Sequence, residues 1–152
     1  MNKTNFDTVR CYFGFTQLIK AEDENLILGS AISSADHDSH LRVYLQKLSY
    51  TMDTLWSYYN SDSVNFDIIT NVIEASDGSI VASGIRYYAS PTSDDDADAF
   101  VLKLTSEGAF VFFNLYNEGL SDYGNFISET ADGGYFVGAI PIVLEGVVSF
   151  IC

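Results

Sequence analysis

The residues best placed to do chemistry in this chain are the aspartates of Asp94-Asp95-Asp96-Ala97-Asp98. Asp94, Asp96 and Asp98 stand at i, i+2 and i+4, a spacing that lets carboxylates converge on a hard cation such as Ca²⁺. The run departs from the twelve-residue calcium loop of helix–loop–helix proteins, because Ala99 occupies the glycine position and Thr105 the position of the closing glutamate. The alternative is an acidic surface loop that binds nothing, so no cofactor is expected and Ca²⁺ is the one the residues leave room for. The two histidines, His37 and His40, fall in a second acidic stretch, Ala35-Asp36-His37-Asp38-Ser39-His40. Imidazole and carboxylate at this spacing suit a divalent metal, but no strand holds them rigid, and a solvated loop is expected. Motifs of hydrolases, kinases, nucleotide-binding folds and zinc sites are missing from the sequence. With 21 acidic residues a carboxylate pair can be proposed almost anywhere, so acid–base chemistry gains nothing from their number. No catalytic residue is expected, and the chain is expected not to be an enzyme.

The elements that would position these groups come from an internal repeat. Leu18–Gly29, Val72–Gly84 and Ile127–Gly138 align on Asp23, Asp77 and Asp132, which lie 54 and 55 residues apart. Each stretch reads as strand, tight turn, strand. Asp77-Gly78 and Asp132-Gly133-Gly134 supply the positive φ that a hairpin turn requires. In the first copy Glu24-Asn25 replaces the glycine, and Asn25 is the more tolerant of the two.

A second signature follows in register. Val43-Tyr44-Leu45-Gln46-Lys47-Leu48 matches Phe100-Val101-Leu102-Lys103-Leu104, and Trp56 and Phe112 each lie nine residues past the lysine. These runs are short, β-branched or aromatic, and often apolar on both faces, as in strands covered on both sides. One unit is therefore four antiparallel strands with a long loop between the second and third. The fold expected is all-β, a single domain over residues 1–152 of tandem blade-like sheets (roughly 16–60, 61–117 and 118–152, the last incomplete), either a partial propeller or an open stack. Lys47 and Lys103, inside apolar strands, need a repeat carboxylate or an escape to the edge. Glu74 and Glu129 share a repeat position and read as exposed strand residues. Asp67 and Asp122 also share one, and read as turn residues bonded to nearby backbone. Trp56 reads as core in preference to a sugar-stacking platform.

Composition narrows the partners. A hydrophobic fraction of 47% is far too high for a disordered chain. Seven basic residues against 21 acidic ones give a net charge of −14, which repels phosphate backbones and anionic lipid, so no nucleic-acid partner is expected. No apolar run reaches the ~18 residues of a spanning helix, so no membrane insertion is expected. Met1–Asp7 has no signal-peptide character, which fits a cytosolic protein or a mature or excised piece of a longer one. Cys11 and Cys152, near opposite ends, offer either free thiols or one disulfide.

A four-stranded unit of this length, repeated in tandem, resembles a β-propeller blade. More narrowly, Asp132-Gly133-Gly134-Tyr135-Phe136-Val137-Gly138 and Asp98-Ala99-Phe100-Val101-Leu102-Lys103-Leu104 resemble the D-G-G-Y-x-V-x-G and D-A-x-V-x-K-L motifs of propeller repeats in secreted bacterial and protist proteins. The resemblance implies a fold and an extracellular or cell-surface setting, and no reaction.

Gly146–Cys152 reads as the third strand of the third copy, with the fourth missing. An apolar strand at a sheet edge invites a partner, and three units are too few to close a ring of 4–8 blades. Cys11, Phe13, Phe15, Phe150 and Cys152 are the candidate assembly residues, and the expected partner is a second copy (in an oligomer or filament) or the rest of a longer polypeptide. The function expected is a non-enzymatic structural or interaction module that self-assembles. A glycan- or Ca²⁺-binding module, or an enzyme using the face of a completed propeller, are the alternatives.

Overall fold

A computed structural model describes residues 17–33, 41–61, 64–88, 97–117 and 121–141. Strands β1 (Gln17–Lys20), β2 (Leu26–Ser33), β3 (Leu41–Leu48) and β4 (Thr54–Tyr59) form the first sheet, in that order. Strands β5 (Phe66–Glu74), β6 (Ile80–Tyr87), β7 (Ala97–Leu104) and β8 (Phe110–Tyr116) repeat the arrangement, and β9 (Asp122–Glu129) pairs with β10 (Tyr135–Pro141) in a third sheet. Every pairing is antiparallel. The expected fold class is the observed one: an open stack of antiparallel sheets in tandem, with no helix among the described residues.

The copies agree down to their irregularities. Thr70 is skipped in the β5–β6 ladder and Asn125, 55 residues later, in the β9–β10 ladder. Leu55 and Val111 are likewise skipped where β4 and β8 run past Lys47 and Lys103. A bulge bends its strand and sharpens the local twist, so repeating it gives each sheet the shape that packs on the next.

Packing follows from which faces are apolar. Ile27, Val43 and Leu45 of the first sheet meet Ile69, Val72, Ala82 and Leu102 of the second. The opposite face of the second sheet meets the third through Val81, Val101, Ile127 and Val137. β6 and β7 are consequently buried along almost their whole length, whereas β3 alternates buried and half-buried. The difference is written in the residues: apart from Asp98 and Lys103, Ala97–Leu104 is apolar on both faces, but Leu41–Leu48 places Arg42, Tyr44 and Gln46 on one. Two close approaches set the spacing. A Cβ on Gly84 would lie 2.1 Å from the Ile68 carbonyl oxygen, and one on Gly124 would lie 2.6 Å from that of Gly84.

Five turns among the described residues share one geometry. In each, the first residue donates its N–H to the carbonyl four positions on and accepts from the N–H three positions on, as Ala75 does with Ser79 (2.8 Å) and Gly78 (2.8 Å). The fourth residue has positive φ: Glu24 and Met52 at 68°, Gly78 at 78°, Gly108 at 81° and Gly133 at 82°. This is the type I turn closed by a left-handed residue that joins strands through a three-residue loop. It corrects one expectation, since Glu24, and not Asn25, takes the left-handed conformation in the first copy. The fourth residue of this turn does so whatever its type, as Glu24 and Met52 show, because the left-handed residue is what closes the type I turn onto the returning strand.

Candidate interaction faces

The turn aspartates do what their position suggests. Asp23 Oδ1 accepts the Asn25 N–H (3.1 Å), Asp77 Oδ1 that of Ser79 (2.9 Å), and Asp132 Oδ1 that of Gly134 (3.4 Å). The other oxygen of the first two meets the repeat lysine, with Lys47 Nζ 2.7 Å from Asp23 and Lys103 Nζ 2.9 Å from Asp77. Each pair ties the first turn of a sheet to its third strand, the carboxylate partner that a lysine in an apolar strand requires. The Lys103 ammonium holds the Asp77 carboxyl at about 2, helped by the Ser79 N–H. Lys47 lowers Asp23 in the same way, and the Thr130 hydroxyl, ahead of the Gly134 N–H, lowers Asp132. Lys103 also donates to the Tyr135 hydroxyl (2.9 Å), and that bond, ahead of Asp77, raises its pKa.

Between sheets, polar connectors recur at both junctions. The Gln17 side-chain oxygen accepts the Val72 N–H, and 54 residues on, Asn71 Oδ1 accepts that of Ile127 (3.3 Å). In the other direction Glu74 Oε2 accepts the Glu22 N–H (2.6 Å), and Glu129 accepts the Ser76 N–H (2.7 Å) and hydroxyl (2.8 Å). At each junction the earlier sheet thus offers an amide forward and the later one a carboxylate backward, and the carboxylate caps the turn of the sheet before it. Glu74 and Glu129 are therefore not idle exposed residues; they are half-buried caps. The signal available in the sequence was their shared repeat position next to a turn with unpaired N–H groups. Trp56 adds a donor, its indole N–H to the Ser106 carbonyl (3.0 Å), while its ring packs into the core between the first two sheets.

The opposite ends of the sheets hold a buried polar cluster. Asp67 lies in β5, not in a turn, and is 0% exposed. Arg86 Nε and one terminal nitrogen each meet its carboxylate at 2.7 Å, the Asn60 amide donates to it, and the guanidinium lies 4.9 Å from the centre of the Phe113 ring. Asp122 is likewise a buried strand residue, across from Pro141. Cross-strand register overturns the reading of both as turn residues: Asp67 pairs with Arg86, which in turn pairs with Asp98, and Asp122 pairs with Pro141.

Asp98, read from sequence as part of an acidic loop, sits in β7 and is buried; it accepts from Asn117 Nδ2 (2.7 Å) and from the Tyr88 hydroxyl. Both its oxygens are occupied by protein donors. Asp94, Asp96, His37 and His40 lie outside the described residues, as do Cys11, Phe13, Phe15, Phe150 and Cys152. Among the described residues no three His, Cys, Asp or Glu side chains gather as a metal site would require. A shallow 240 Å³ depression is lined by Ile68, Thr70, Ile85, Tyr87 and Asn125, with no titratable pair in it. Burial, then Tyr123, pushes the Tyr87 hydroxyl above the usual tyrosine range, so it stays protonated at neutral pH.

What the arrangement can do is present surface. The first sheet turns a face away from the second, where Leu18 is 55% exposed, and the third sheet turns one away with Phe126 at 50%. No protein-family model and no curated protein matches the chain.

Proposed function

We propose that this chain is a non-enzymatic structural or interaction module, a partial β-propeller that assembles through the outward faces of its first and third sheets. The observation that carries the proposal is the placement of Leu18 and Phe126. Each occupies a strand position whose counterpart at an internal junction is a contact residue, Val72 and Ile127 for Leu18, and Gln17 and Asn71 for Phe126. Repeating sheets that bury one another through such positions are incomplete where no neighbour covers them. An extracellular or cell-surface setting belongs to the same proposal and rests on the motif resemblance alone.

Mass in solution is the test. Sedimentation velocity over a micromolar concentration series should give species at multiples of 16.8 kDa, while a single species at the monomer mass up to the highest concentration would overturn the proposal.

A further inference from the structure

The two outward faces differ from the internal junctions in a complementary way. At both internal junctions the later sheet supplies a glutamate at the end of its first strand, Glu74 or Glu129, to the turn of the earlier one. The first sheet carries Lys20 at that position. At both junctions the earlier sheet supplies an amide, Gln17 or Asn71, to a backbone N–H of the later one. The third sheet carries Phe126 there. Each outward face has therefore lost its polar connector, one to a cation and the other to an aromatic ring.

Resting on the assembly proposed above, we infer that the outward face of the third sheet docks on the outward face of the first sheet of a second copy, with Lys20 of one protomer pairing with Asp132 of the next. In the register of the internal junctions, residue 20 lies over the turn that contains Asp132, since Glu74 reaches Glu22 beside Asp23 and Glu129 reaches Ser76 beside Asp77. Asp23 and Asp77 each hold a lysine, whereas among the described residues Asp132 meets only the Thr130 hydroxyl (2.5 Å) and the Gly134 N–H. Of the three repeat aspartates, its carboxylate is the one without a cation among the described residues. Lys20 now pairs with Glu24 at 2.5 Å, both side chains more than half exposed, a contact of little strength that can be exchanged. Phe126 falls in the same register against Leu18, an apolar pair in place of an amide and an N–H.

A glutamate at position 20 would have faced Asp132 with like charge, so the substitution to lysine is what permits the contact in a chain of net charge −14. The interface is head-to-tail, since one face meets the other, and such contacts either close or propagate.

Zero-length carbodiimide coupling of a mixture of unlabelled and ¹⁵N-labelled chains, digested and read by mass spectrometry, should yield a Lys20–Asp132 peptide pair that joins the two isotopes. Sedimentation of the variants gives the second readout. Lys20→Glu should raise the dissociation constant roughly tenfold or more by setting like charges opposite each other, Phe126→Asp should do the same without touching a turn, and Lys20→Glu with Asp132→Lys should recover most of the loss. If the wild-type chain self-associates but coupling joins other residues, and Lys20→Glu and Phe126→Asp leave the mass unchanged, the register is wrong and assembly stands. If the wild-type chain is a monomer, both fail.

Discussion

The two ends of the second sheet treat the same pairing of aspartate with a cation in opposite ways. At the turn end, Asp77 is open to water and Lys103 reaches it at 2.9 Å; at the other end, Asp67 has no exposed surface and Arg86 grips it at 2.7 Å. Water screens the first pair, so its main work is local, holding the turn through the Ser79 N–H. The second pair has no water to fall back on. Removing one partner leaves a charge in a site built to neutralise it. Charge in this molecule is therefore decorative or structural according to solvent, and the type of residue does not decide which.

The largest effect should come from breaking the buried pair. Asp67→Ala strands the Arg86 guanidinium and the Asn60 amide, at a cost of about 3–5 kcal/mol, or very roughly 6–20 °C in melting temperature for a chain of this size. The same change at Asp77 should lower the melting temperature by less than half as much. Equal losses by calorimetry would erase the distinction between the two ends.

A middle case sharpens it. Glu129→Ala uncaps the Ser76 N–H and hydroxyl across a junction, neither fully buried nor fully free, and should cost about 1 kcal/mol. Glu129→Gln should keep part of that, because one oxygen can still accept. Denaturant unfolding at equal m-value separates the two variants. If alanine and glutamine are equally costly, the side chain is not a cap.

The turns allow a gain of similar size. Met52 sits at φ 68° with an exposed side chain, where an L residue is disfavoured by about 1 kcal/mol and glycine is not. Met52→Gly should therefore raise stability by somewhat under 1 kcal/mol, as glycine also loses more chain entropy. A drop in denaturation midpoint would mean that Met52 makes contacts worth more than its strain.

The smallest effect is acid sensitivity at the turn end. Asp77 is depressed from 3.8 to about 2 in the folded chain, so it binds its proton more weakly folded than unfolded. Its contribution is complete above pH 4 and lost as pH falls through about 2. The melting temperature of Asp77→Asn, measured between pH 5 and 2, should fall less steeply than that of the parent. Parallel curves would show that exposed aspartate is not linked to folding at all.

Much of this was open to reading along the chain. The aspartates 54 and 55 residues apart predict the three first turns, and the pairing of Lys47 and Lys103 with repeat carboxylates follows from the expense of an ammonium in an apolar strand. The turn at Ser49–Asp53 went unread because Met52 stands where a glycine would have announced the geometry, and that at Thr105–Ala109 went unread although Gly108 marks it. Asp67 and Glu74 were misread for a different reason: nothing within a few residues of either shows what they touch.

Strand period, turn chemistry and repeat spacing were determined by the sequence alone, because each depends on the backbone preferences of neighbouring residues, which act over two to five positions. The tertiary structure alone decided which carboxylates are caps, which is a buried counter-ion and which faces stay open. Glu74 and Glu22 are 52 residues apart and Glu129 and Ser76 are 53 apart, and the partner of a charge, and the water it keeps or loses, exist only once the sheets are stacked.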